Sequence, residues 1–305
     1  MIGHGLLGKG VLRCSTGVDV DPTGRIDWDH PQDARRQLGE LATSFGRSID
    51  GPWRLAWCAG AGVVGTSDAQ FADEQSYLEA FLDELGNADA VTTTEGGVFF
   101  ASSAGGVFGA GSSGFITEDS HVSPVSAYGH SKLAQEGLVA EWSTSNGVPA
   151  LIGRISNLYG PGQNLAKPQG YISQLLRTML VRQPFQLRAS GDTERDFIHV
   201  DDAAARIHAW LSMSGEVGVT RKLIASGRSH TLPRVASIAR SVTRIQPKIM
   251  YAEAGPAPQP RHLRFSSRVR TDLDAAAPSR PLEVGIAQTW QAMLRGFAAG
   301  LPRVT

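Results

Sequence analysis

The chain has 305 residues, with 29 basic side chains balancing 29 acidic ones, so no charge excess directs it to nucleic acid or to an anionic membrane surface. An apolar fraction of 41% supplies a sizeable core and argues against disorder; no apolar run is long enough to span a membrane, so a cytoplasmic setting and a small-molecule partner are expected. Cys14 and Cys58 are too few for a disulfide framework and stand at no metal-ligand spacing, so reduced thiols and no metal centre are expected.

Short apolar runs ending in glycine alternate with longer segments of helical period, the pattern of an α/β fold whose parallel sheet is covered on both faces. Met1 and Ile2 lead into Gly3-His4-Gly5-Leu6-Leu7-Gly8, a GxGxxG turn of the kind that lets backbone approach a pyrophosphate at a helix N-terminus. A whole buried strand ordinarily precedes that turn, so the first strand is either cut short or begins upstream. The helix that follows is brief, because Cys14-Ser15-Thr16-Gly17 reads as a turn. Asp19 and Asp21 lie nearer to Gly8 than the roughly 20 residues usual for a ribose-binding carboxylate and read as surface groups.

Strands are expected at Trp53 to Cys58, Val98 to Ala101 and Ala150 to Ile155, and helices at Ala69 to Leu85 and about Val125 to Trp142, the latter opened by Ser123-Pro124. Ala59-Gly60-Ala61-Gly62, without bulky side chains, offers a flat bed to a dinucleotide. Ser102-Ser103 and Asn157 follow strand ends and should face one crevice, since ligands of open α/β sheets bind there. Past Gly160-Pro161 come a helix at Ile172 to Leu180 and a strand and helix at Phe197 to Leu211 that rejoin the sheet. The proline-punctuated tail from about 216 suits a smaller second domain. The boundaries expected are 1–157 with 196–215 for a dinucleotide-binding domain, and 158–195 with 216–305 for a substrate domain.

Tyr128 and Lys132, at i and i+4, share one helical face, so the ammonium can favour ionisation of a phenol whose ordinary pKa is about 10. That makes Tyr128 a candidate acid/base. Ser102 and Ser103 could each donate a hydroxyl to the same substrate oxygen.

These segments, with GHGLLG (3–8), SSAGGVFG (102–109), YGHSK (128–132), RISNLYGPGQ (154–163) and RDFIHVDDAA (195–204) in order, resemble the extended short-chain dehydrogenase/reductase family, in its nucleotide-sugar epimerase/dehydratase group. The resemblance implies a Rossmann-like doubly wound sheet binding NAD, with NADP as the other candidate, and a smaller C-terminal domain holding a nucleotide diphosphate sugar. It implies Tyr128 as acid/base, Lys132 as orienter of the nicotinamide ribose, and Ser103 as assistant. It places Gly3, Gly5, Gly8, Ala59, Gly60 and Ser102 with Lys132 around the cofactor, and Asn157, Arg195 and Arg261 on the substrate. Guanidinium forks suit paired phosphate oxygens. An ion pair of Arg195 with Asp192 or Asp196 is the structural alternative. Asp201 and Asp202 read as helix-opening caps, and His199 as a core or pocket-wall residue.

Dehydratases of this group place an Asp-Glu pair after the catalytic hydroxyl, where this chain has Ala104, Gly105 and Gly106, which turns the expectation from dehydration to 4-epimerisation of a UDP-sugar through a transient ketosugar. An NADPH-dependent ketosugar reductase, and a non-catalytic dinucleotide-binding protein, stay open at this point. The resemblance also implies a homodimer formed through the Tyr128 helix and the helix before it.

Overall fold

The computed structural model describes residues 1–15, 26–60, 62, 66–109, 114–167, 169–213, 218–252 and 260–299. Its helices are α1 (Leu6–Cys14), α2 (Pro31–Ser48), α3 (Asp68–Gly86), α4 (Asp89–Thr93), α5 (Ala104–Val107), α6 (Ala127–Asn146), α7 (Tyr171–Leu180), α8 (Val200–Leu211), α9 (Leu232–Thr243), α10 (Thr271–Ala276) and α11 (Leu282–Ala298). Its strands are β1 (Leu55–Trp57), β2 (Val98–Ser103), β3 (Ala150–Ile155), β4 (Asn157–Tyr159), β5 (Phe185–Leu187), β6 (Glu194–His199), β7 (Val219–Ile224), β8 (Ser229–Thr231) and β9 (Ile249–Tyr251).

The main sheet is four-stranded and parallel, in the order β1-β2-β3-β7. Ile2 extends it at the β1 edge through one bridge to Trp57, with its amide bonded to Ala56 O at 2.9 Å and its carbonyl accepting from Cys58 N at 2.7 Å. The N-terminal segment therefore contributes a bridged residue rather than a strand. In-register rows such as Leu55, Val98 and Ala150 face one side, and the next row, Ala56, Phe99 and Leu151, faces the other. The first face packs against Leu38 of α2, Phe81 of α3 and Val139 of α6; the second packs against Val11 of α1 and Ile207 of α8. Burial on both faces explains why these strands are continuously apolar.

Sequence and structure differ in three places. Phe197 to Leu211 does form strand and helix, but β6 pairs with β4 and β8 in a separate three-stranded sheet, and β7 takes the expected place beside β3. The fully buried Asp196 carboxylate explains the separation: it accepts hydrogen bonds from Ser156 Oγ, from Ser226 N and Oγ, and from Arg228 N, clamping β6 across the loops that leave β3 and β7. α6 is capped by Ser126, whose hydroxyl accepts from Gly129 N, rather than by Ser123-Pro124. α2 was not expected at all, yet its Ala34, Leu38 and Ala42 are fully buried against α3 and the sheet.

A second apolar cluster gathers Ile172 and Leu176 of α7, Phe197 of β6, Val235 of α9 and Ile286 of α11, beyond the carboxyl ends of the main strands. The cleft lies between it and the sheet.

Because Leu38 is fully buried, Leu38→Ala should lower stability by about 2–5 kcal/mol in a urea titration. A loss well under 1 kcal/mol would show that α2 is not docked on the core.

Candidate active site

α1 leaves Ile2 toward one face of the sheet and α3 leaves β1 toward the other, which opens a crevice at their carboxyl ends. This cleft has a volume of about 410 Å³. Its floor includes Ala59, Gly60, Ser103, Tyr128 and Lys132; its far wall includes Asn157, Tyr171 and Arg195.

Ser103 ends β2 and caps α5, its Oγ accepting Gly106 N–H at 3.1 Å. Its Oγ and the Tyr128 ring both flank Gly106, and the serine lowers the phenol's pKa. A side chain at Gly106 would come within 3.1 Å of Tyr128 Cε1, so glycine there leaves room for the phenol. Gly129 lets α6 cross α5 closely, because a Cβ there would lie 2.2 Å from Gly106 O. These contacts fix Tyr128 over the serine.

Lys132 is one turn further on, 5% exposed, with Nζ donating to Gln135 Oε1 at 3.0 Å and lying 5.3 Å above the Phe100 ring. Burial pulls its pKa down, against the carboxylates of Glu74 and Glu136, which push it up. Burial raises the Tyr128 pKa, Ser103 lowers it, and Glu74 raises it. In this geometry Ser103 lowers the phenol, and the Lys132 ammonium is turned to Gln135.

Ser102 alternates to the opposite side of β2, as its neighbour in a strand must. Its Oγ donates to Glu136 Oε1 at 2.6 Å, inside a buried cluster in which Arg154 Nε and Nη2 grip Glu136 at 3.0 and 2.8 Å. That hydroxyl is engaged in the core, which separates the roles of the two serines and leaves Ser103 facing Tyr128.

The glycine turn is tightly used. Gly3, at φ +92°, would place a Cβ 2.3 Å from Ala59 N, and a Cβ on Gly8 would lie 1.9 Å from Gly3 O. Both glycines therefore serve the approach of this turn to the Ala59 loop, and neither borders the cleft. Gly5 caps α1 and faces open space. Asp19 and Asp21 lie outside the described residues. For a dinucleotide, the residues present fit the nicotinamide end best: Gly60, at φ +152°, lies against Lys132 Nζ and adds no side chain of its own to the cleft.

On the far wall, Asn157 Nδ2 donates to Asp196 O at 2.9 Å. Arg195 Nη1 donates to the carbonyls of Glu194 and Arg261, and no carboxylate among the described residues pairs with it; burial pulls its pKa down to about 10. The ion-pair alternative is not realised, since Asp196 is held by Ser156 and Ser226. Arg261 is placed differently from expectation. Its side chain is 69% exposed and turned to Asp192 at 3.6 Å, and the cleft is bordered instead by Pro260. His199 is buried edge-on to Tyr159, its pKa drawn down to about 4 chiefly by burial, as suits a core residue.

Glu74 and Gln135 were missed. The available signal was a polar residue within an apolar stripe: Glu74 falls on the α3 face formed by Phe71, Leu78, Phe81 and Leu85.

A phenol, a serine and a lysine thus meet at the carboxyl ends of a parallel sheet of Rossmann type. The profile of the NAD dependent epimerase/dehydratase family matches residues 59–221, more than half of the chain, and the protein belongs to that family. Among curated relatives, the dTDP-L-rhamnose 4-epimerase of Burkholderia thailandensis is 34% identical over 116 residues, covering 38% of this chain and 32% of that protein. The dTDP-glucose 4,6-dehydratase of Mycobacterium tuberculosis H37Rv is 29% identical over 178 residues, covering 52% of each. The chain thus spans about a third to a half of the length of these relatives. Among solved structures, the UDP-glucose 4-epimerase of Thermotoga maritima superposes with a TM-score of 0.79 at 18% identity, covering 96% of this chain and 97% of that one, which shows the fold. MoeE5 in complex with UDP-glucuronic acid and NAD gives 0.66 at 25% identity, covering 80% and 79%.

Glu136 is 1% exposed and holds Arg154 bidentately, so Glu136→Ala strands a buried guanidinium. It should cost about 3–5 kcal/mol in chemical denaturation, and a loss under about 1 kcal/mol would show that water or another group satisfies Arg154.

Proposed function

We propose that the protein is an NAD-dependent nucleotide-sugar epimerase, of the UDP-sugar 4-epimerase type, working through a transient ketosugar. The observation that carries this is Tyr128 beside Ser103 and followed by buried Lys132, in a cleft whose far wall presents an arginine with no carboxylate partner among the described residues. Family membership and the epimerases among the relatives support it. Residues 158–195 and 216–305 would form the nucleotide-sugar domain, and 1–157 with 196–215 the dinucleotide domain.

NAD, when bound, supplies the hydride acceptor and donor; Lys132, Gly60, Ala59 and the Gly5 end of α1 would hold it. The chain's own part is to handle the proton and the substrate. Tyr128 takes the proton of the sugar hydroxyl as that carbon is oxidised, and returns it after the ketosugar has turned its other face. Ser103 hydrogen-bonds the oxygen on which charge develops. Lys132 places a positive charge beside the cofactor ribose, and Arg195 meets the diphosphate with a planar fork, Asn157 beside it. Arg261 would reach the substrate only by leaving Asp192. No acid stands on α5 where elimination of water would need one, which supports isomerisation. A homodimer would form through the outer faces of α3 and α6, where Ala127, Ala134 and Gly137 are exposed, and the setting would be carbohydrate biosynthesis in the cytoplasm.

Incubation with a panel of nucleotide sugars should yield a redox-neutral isomer. Tyr128→Phe should retain nucleotide-sugar binding and lower kcat by about 10²–10⁴-fold. Undiminished turnover in Tyr128→Phe would remove the tyrosine from its role. Stoichiometric NADPH consumption with a ketosugar would reassign the protein as a reductase, and failure to bind NAD or NADP would make it a non-catalytic Rossmann protein.

A further inference from the structure

Glu74 approaches the Tyr128–Lys132 pair from the opposite helix. Its Oε1 accepts the Gly62 amide at 2.7 Å, which ties α3 to the loop leaving β1. Gly60 in the same loop lies between two charges: a Cβ built there would be 3.9 Å from Glu74 Oε2 and 3.2 Å from Lys132 Nζ. A larger residue at position 60 would crowd Lys132 Nζ and would also be strained by φ +152°. The glycine loop therefore runs between the carboxylate and the ammonium.

Other charges face Lys132 as well. From α6, Glu136 contributes a carboxylate, but Arg154 grips it bidentately and Arg221 Nε stands 3.7 Å away, so its field at Lys132 is offset. From β1, the Cys58 thiol is pushed up to about 12, mainly by burial, and carries no charge near neutrality. Gln135 supplies a neutral acceptor, and Tyr128 stands one turn back on α6. Glu74 is the acidic group reaching this pair from α3.

We propose that Glu74 is a positioning residue for the catalytic pair, holding Lys132 as an ammonium against its burial and fixing the Gly60–Gly62 loop beside it. The same charge acts on Tyr128 in the opposite chemical sense. A carboxylate favours a neighbouring ammonium and disfavours a neighbouring phenolate, so it places both titrations at higher pH than burial and Ser103 alone would set. The catalytic consequence rests on the epimerase reading; the electrostatic assignment does not.

Glu74→Gln keeps an oxygen for the Gly62 amide and removes only the charge. With lysine labelled with ¹³C at the ε-carbon, the titration of Lys132 can be followed in the ligand-free protein and assigned by its absence in Lys132→Met, apart from Lys9, Lys167, Lys222 and Lys248. In Glu74→Gln the Lys132 resonance should titrate at lower pH by on the order of one unit, and Glu74→Asp, which keeps a charge, should shift it less. The pH profile of turnover should move toward lower pH together with it. An unchanged Lys132 titration in Glu74→Gln would overturn the proposal and reduce Glu74 to a tether for the loop. Absence of turnover with every nucleotide sugar would instead sink the epimerase reading, while the resonance would still decide the role of Glu74.

Discussion

Placing a cation and an ionisable phenol at the end of a close-packed parallel sheet is the constraint around which the rest is arranged. Burial disfavours the charged form of both groups, lowering the Lys132 pKa and raising that of Tyr128. Neither position would serve proton transfer without compensation, and each compensating group comes from a different element. Ser103 is carried by β2, Gln135 by α6 and Glu74 by α3. The glycines at 60, 106 and 129 are what let those elements approach closely enough to act. The packing of α5 on α6 and of α3 on α6 therefore belongs to the chemistry as much as to the core.

The buried cluster below the site works by the same rule with a different result. Glu136, Arg154 and Ser102 satisfy one another, and Arg154 also lies 5.1 Å above the Phe108 ring. A fully paired cluster of this kind fixes β2, β3 and α6 in register and leaves no reactive group. One residue along β2, the pleat turns Ser103 to the cleft, where its Oγ caps α5 beside Tyr128. Alternation along a strand thus divides two adjacent identical side chains between structure and chemistry.

How much of this the residues alone disclosed follows from the range of the interactions. The parallel α/β class, strands at 98 and 150, the helix at 69 and the Tyr-x-x-x-Lys face come from local periodicity, and the structure carries them with small shifts of boundary. α2 was missed although Ala34, Leu38 and Ala42 repeat at i, i+4 and i+8 behind a proline at the first turn, because alanine is a weak marker of a buried face. The placing of β6 outside the main sheet depends on Asp196 meeting Ser156 and Ser226, residues distant in sequence that no local pattern joins. Arg261 was read from a motif-like position, yet the orientation of its side chain is decided by Asp192 across a loop. Glu74 was readable in principle as the polar member of an apolar stripe, but its partner is a backbone amide, which leaves no trace in side-chain identity.

Binding and chemistry are also held by different bodies of packing. Tyr128, Ser103 and Lys132 are anchored to the sheet and its helices, whereas Arg195 stands on β6, beside Phe197 of the second apolar cluster. Arg195, half-buried and with no carboxylate partner among the described residues, bears a desolvation cost that two carbonyls offset only in part. An anionic ligand in the cleft would relieve that cost at a point facing the sheet-borne pair. On the proposed function, the diphosphate then serves to join the two bodies, and its binding energy is spent on bringing the sugar to Tyr128 rather than on tight retention.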